Sequence, residues 1–138
     1  MDNERYANYL QDLCMHLKDM AVQVASDGFL LSEVPLGTGT SDLMRIIGIL
    51  RKAKPDIVFN LEMITRNPLN VPCLGESYFA TFPERKAARL EAMMQWVRTH
   101  PPAGSSPSVE GKELPQIVLE EERNNRDSLT WMNQHLRA

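Results

Sequence analysis

No stretch of this sequence approaches the ~20 consecutive apolar residues that a bilayer-spanning helix needs. The opening residues MDNERYANYLQDL are acidic and amphipathic, unlike a secretory signal with its basic start and apolar middle. No run of lysine or arginine exceeds two residues and the formal net charge is −3. Affinity for nucleic acid rests mainly on neutralising phosphates, so neither a nucleic acid nor a membrane is expected as a partner. Cysteine is scarce: Cys14 and Cys73 lie far apart and outside any paired motif, which predicts two incidental thiols in a reduced, cytoplasmic protein. Dense metal motifs of the His-x-x-x-His or Cys-x-x-Cys type are missing, as are a Gly-x-Ser-x-Gly elbow and any repeat at a solenoid period.

What is present is an ordinary globular composition. The 138 residues are 43% hydrophobic and 24% charged, enough for one domain with a real core. Residues 4–11 have helical spacing, with Tyr6, Tyr9 and Leu10 on one side. Residues 13–18 alternate, Leu13, Met15 and Leu17 pointing one way and Cys14, His16 and Lys18 the other, which predicts a strand. A long connection is expected over 19–40, with turns at Asp27-Gly28 and Gly37-Thr38-Gly39 and a short strand or lid near Phe29. Thr40, Ser41 or Asp42 can cap the next helix, whose stripe Leu43, Ile46, Ile47 and Leu50 faces the core and which Pro55 stops. Residues 57–64 (IVFNLEMI) are nearly continuous in hydrophobicity and read as a strand buried on both faces, as in a parallel sheet. A second loop spans 65–82, with Tyr78, Phe79 and Phe82 either walling a pocket or packing under it. Pro83 then opens a helix over 84–99, with Ala87, Leu90, Met94 and Val97 inward. Residues 101–115 form a Pro/Gly/Ser-rich linker, and a final helix over 116–136 turns Val118, Leu129, Met132 and Leu136 to one side.

Strand, crossover helix and second strand make one right-handed parallel unit. The long loops follow the strands, so the working face is expected at the strands' C-terminal ends. His16 and Lys18 share a face at the end of the first strand; Asn60 and Glu62 share one at the end of the second. A carboxylate in an apolar strand needs a partner, and imidazole plus carboxylate is a normal ligand pair for a divalent ion. The plainer readings stay open: His16 as a satisfied core histidine, and Glu62 paired with Lys18 or Arg66. Gly37-Thr38-Gly39-Thr40-Ser41 resembles an anion-binding turn, but it lacks the P-loop lysine and the third dinucleotide glycine, and reads first as a structural turn before a capped helix. Cys73 has no base beside it and is not expected to act as a nucleophile.

His16-Leu17-Lys18-Asp19-Met20, Asp27-Gly28-Phe29, Pro35-Leu36-Gly37-Thr38-Gly39, Asp42 and Asn60-Leu61-Glu62 together resemble the carboxy-terminal part of the sugar phosphate isomerase/epimerase family, xylose-isomerase-like TIM barrels. The likeness covers roughly residues 5–100. It implies an α/β fold, a partial (β/α)8 TIM barrel of about the last two βα units, with a linker over 101–115 and a helical extension over 116–138. It implies a divalent metal, manganese first, with magnesium, cobalt or zinc as alternatives. By this match His16 and Glu62 are two of its four ligands, and Glu62 is also one of two acid/base carboxylates. Lys18, Gly37, Gly39 and Arg66 would then face a sugar or sugar-phosphate substrate, the glycine turn near its polar end. The reaction implied is proton abstraction next to a carbonyl through an enediolate. A full barrel needs about 250 residues, and the other Glu and Asp ligands have no counterpart before Tyr6. The expectation is therefore a truncated form, or a barrel completed by further copies or by another chain, with open strand edges that favour self-association.

Overall fold

A computed structural model describes residues 14–80, 87–102, 104 and 107–136. The chain runs β1 (Cys14–Leu17), β2 (Asp19–Ala25), β3 (Gly28–Val34), α1 (Leu43–Ala53), β4 (Val58–Leu61), β5 (Leu69–Val71), a 3-10 turn (Glu76–Phe79), α2 (Ala87–Thr99) and α3 (Leu114–His135). Among the described residues the strands form two sheets, a parallel pair β1–β4 and an antiparallel sheet ordered β2-β3-β5. This corrects the barrel expectation: the fold is a small mixed α/β arrangement, and among the described residues no strand pairing joins the two sheets or closes them. The helix expected over 4–11, together with Phe82, Pro83 and Glu84, lies outside the described residues.

The parallel unit itself is present. β1 pairs β4 with His16 opposite Asn60 and Leu17 opposite Leu61, and Glu62 N–H donates to Leu17 O at 3.0 Å. The connection expected over 19–40 is largely a hairpin instead. Residues 19–25 and 28–34 pair through a two-residue turn at Ser26-Asp27, Asp19 opposite Val34 and Ala25 opposite Gly28. Alternating β-branched and apolar residues around an Asp-Gly signal are enough to close such a hairpin locally. β4 is not buried on both faces: Phe59 and Leu61 pack on the core, while Val58, 58% exposed, and Asn60 turn to solvent.

Two apolar clusters hold the elements. Val22, Phe29, Cys73, Met94 and Val97 pack α2 on the hairpin sheet, with Leu31, Val71 and Leu90 around them. Cys73 is thus a core residue, its Sγ 3.6 Å from Met94 Sδ. Leu17, Leu36, Leu43 and Ile47 form the second cluster, joined by Phe59, Leu61, Trp131, Met132 and Leu136. Asp42 is the N-cap of α1, accepting from Arg45 N–H at 3.1 Å, and Arg51 and Lys52 occupy its last turn. Of the expected α1 stripe, Leu43 and Ile47 are buried and Leu50 half-buried, whereas Ile46 faces solvent. In α3 the expected apolar side divides: Met132 and Leu136 pack inward, but Val118 and Leu129 are exposed, and the buried residues are Asn124 and Ser128.

Asp19 ties hairpin, turn and helix together. Its side chain is buried and accepts from Gly37 and Gly39 N–H at 2.9 Å each, from Met20 N–H at 2.9 Å and from Ser41 N–H at 3.4 Å. Thr40 adds backbone and hydroxyl bonds to Met20 O. Gly37 has φ 82° at the third position of a Pro35–Thr38 turn, where type II turns place glycine. A Cβ on Gly39 would run into the Asp19 carboxylate. Removing the acceptor strands several amides at once, each lost bond to a charged group being worth about 1.5–3 kcal/mol. Asp19→Ala is expected to lower unfolding free energy by about 3 kcal/mol or more in urea titration; a loss below about 1 kcal/mol would contradict this role for the carboxylate.

Candidate functional site

β1 ends at Leu17 and β2 begins at Asp19, so Lys18 is the single residue between them. The parallel register sets His16 beside Asn60 and brings Glu62, just past β4, to the same strand ends. His16 Nδ1 lies 3.3 Å from Glu62 Oε2. Lys18 Nζ donates to Glu62 Oε1 at 2.8 Å and sits 3.4 Å from Glu33 Oε2. Arg66 Nη2 is 2.6 Å from Glu33 Oε1, and Ile64 N–H donates to Glu33 Oε2 at 3.1 Å. The result is a continuous network of His16, Glu62, Lys18, Glu33 and Arg66.

The network is graded in burial. The Glu33 side chain is 1% exposed, Lys18 28%, Glu62 42% and His16 61%. The bond between the expected ligands His16 and Glu62 therefore faces solvent, and the buried anchor is Glu33. Arg66 engages Glu33 instead of Glu62. Sequence pattern does not single out Glu33, because 19–40 reads as a long connection with only a short strand or lid near Phe29; paired as a hairpin, the same residues put Glu33 opposite Met20 and next to Lys18.

Gly37 and Gly39, expected against a substrate's polar end, have their amides committed to Asp19. The turn is built around an internal anion, and the structural reading of it is the one its hydrogen bonds support. Among the described residues no group of three or more His, Cys, Asp or Glu side chains converges as a metal-ligand set. His16 and Glu62 supply two donors, while the Lys18 ammonium holds the second Glu62 oxygen. That donor set does not by itself fit a resident divalent ion, which needs further ligands.

Lys18 and Glu62 shift each other. The hydrogen bond from Lys18, then its charge, holds the Glu62 carboxyl below its ordinary 4.5, with a smaller contribution from His16. The bond to Glu62, opposed by partial burial and aided by Glu33, raises the Lys18 ammonium above 10.5. The contribution of Glu62 to stability is thus present above 4.5 and lost as pH falls through its depressed value. That of Lys18 is complete below 10.5 and lost as pH rises through its elevated value. In Lys18→Met the Glu62 carboxyl should titrate at higher pH than in the native chain, read by carboxyl carbon NMR. An unmoved midpoint would show that Lys18 does not hold it.

No protein-family model, curated protein or solved structure matches this chain. Nor does any helix among the described residues have the length and apolarity to cross a membrane.

Proposed function

We propose that this chain carries part of a proton-transfer site of a sugar or sugar-phosphate isomerase or epimerase, working in the cytoplasm. The observation that carries the reading is the 3.3 Å approach of His16 Nδ1 to Glu62 Oε2 at adjacent ends of two parallel strands. In this reading Glu62 takes a proton from the carbon beside a substrate carbonyl. At rest Lys18 depresses Glu62 and makes it a weak base, since general bases act best near the working pH. A substrate carbonyl oxygen that draws the Lys18 ammonium to itself frees Glu62 Oε1 and raises its basicity. The same ammonium then balances the charge developing on the enediolate oxygen. His16 hydrogen-bonds the other carboxylate oxygen and orients it. A divalent ion, manganese first, enters this reading only with ligands beyond His16 and Glu62, brought by substrate oxygens or by a second chain.

A second reading is an assembly module that works by self-association. It is favoured by Ile46, Ile49 and Val58, exposed at 43, 60 and 58%, on the helix and outer strand of a sheet only two strands wide. Sedimentation equilibrium should then show dimers or larger species, and a monomer across the accessible concentration range would contradict it.

The enzymatic reading is tested with D-fructose and D-fructose 6-phosphate in deuterated buffer with manganese present. Deuterium should enter the carbon next to the carbonyl, and Glu62→Gln should slow its entry by at least about 100-fold, the lower range for positioned acid–base groups. Exchange absent with both sugars, or surviving in Glu62→Gln and His16→Ala, would overturn it.

A further inference from the structure

α3 reaches both chain segments that support the Lys18–Glu62 contact. On one side Glu121 Oε2 accepts from Thr65 N–H at 2.5 Å, and Asn124 Nδ2 donates to Thr65 Oγ1 at 2.8 Å. Thr65 lies three residues after Glu62 and between Ile64 and Arg66, which engage the Glu33 carboxylate together with Lys18. On the other side Leu36 N–H donates to Ser128 Oγ at 3.2 Å, and Trp131 lies against Gly37, whose amide is bonded to Asp19 beside Lys18. Ser128 Oγ donates in turn to Asn124 O at 2.8 Å, linking the two grips along one helix face.

The burial of these groups argues for more than coverage. Thr65 and Asn124 are 8% exposed and Ser128 0%, while Val118 and Leu129 of the same helix are 55% and 50% exposed. A helix selected only to shield a core turns its apolar residues inward. Here Asn124 and Ser128 are inward along with Met132, and burying them is tolerable only because each is hydrogen-bonded. What they bond is the backbone and hydroxyl of the site-bearing loops.

We infer that Thr65 and Asn124 are positioning residues: their buried hydrogen bond, backed by Glu121, fixes the segment 62–66 so that Glu62 meets Lys18 and His16. α3 is then a component of the site. The inference rests on the proposed function only in calling the network a site; the hold on the segment stands apart from any chemistry.

Amide hydrogen exchange by NMR on the full chain tests it. Thr65→Val keeps the shape and removes the hydroxyl. The Glu62 amide, bonded to Leu17 O, and the Ile64 amide, bonded to Glu33, should exchange about tenfold faster, the effect of one lost buried hydrogen bond. The Ile47 amide in α1 should be unchanged, and Thr65→Ser should restore the native rates. Acceleration of every amide alike, no acceleration at Glu62 and Ile64, or failure of Thr65→Ser to rescue would each overturn the inference. Should Thr65→Val not fold, Glu121→Ala, at a half-buried position, should accelerate the same two amides; unchanged rates there would overturn it equally. Failure of sugar proton exchange would leave these rates untouched, so the two proposals can fail separately.

Discussion

Asp19 carries its carboxylate into the interior, and the backbone amides of Met20, Gly37, Gly39 and Ser41 turn toward it. A buried carboxylate is tolerable only when its oxygens are satisfied, so this contact constrains everything attached to it. It fixes the start of β2 and folds the Pro35–Thr38 turn back over it. It also delivers the chain to Asp42, the cap of α1, within one residue of the last amide it binds. Because β1 and β2 are separated by Lys18 alone, the same contact sets where the Lys18 ammonium emerges.

From that point the charge network follows. Glu33 arrives from the hairpin register, Glu62 from the parallel register, and Lys18 lies between the two carboxylates. The buried member is the anchor and the exposed members are available to a ligand. Arg66 forms an ion pair with Glu33 Oε1, which makes no hydrogen bond among the described residues, and Ile64 N–H donates to Oε2. His16 and Glu62 give two donors for a cation, and Lys18 holds one of the Glu62 oxygens, so the set is not a self-sufficient metal centre.

Much of this was legible in sequence. Period-two alternation put His16 and Lys18 on one face, and a strand–helix–strand order brought Glu62 to them; both follow from local geometry. The hairpin was not, because polar and turn-forming residues in 19–34 mask an alternation that pairing with a partner strand makes decisive. Glu33 was missed with it. Gly37 and Gly39 face a substrate only by the family likeness; the anion their amides bind is Asp19, and only the fold shows it. In α3 the stripe expected from hydrophobicity includes Val118 and Leu129, which are exposed, while Asn124 and Ser128 are buried. A helix that docks partly on loop backbone buries polar side chains there, beside Met132 and Leu136, which pack on the core. The barrel expectation failed where the likeness extended from short motifs to sheet closure, which four-residue strands β1 and β4 do not reach.

The central claim is that an internal carboxylate, and not a bound phosphate, organises the Gly37–Gly39 turn and so places Lys18. Scalar couplings across hydrogen bonds, measured by NMR between the Asp19 carboxyl carbon and the Gly37 and Gly39 amides, test it most directly. The account predicts both couplings in phosphate-free buffer and no change in either on adding inorganic phosphate. Absent couplings, with both amides exchanging freely until phosphate is added, would contradict it.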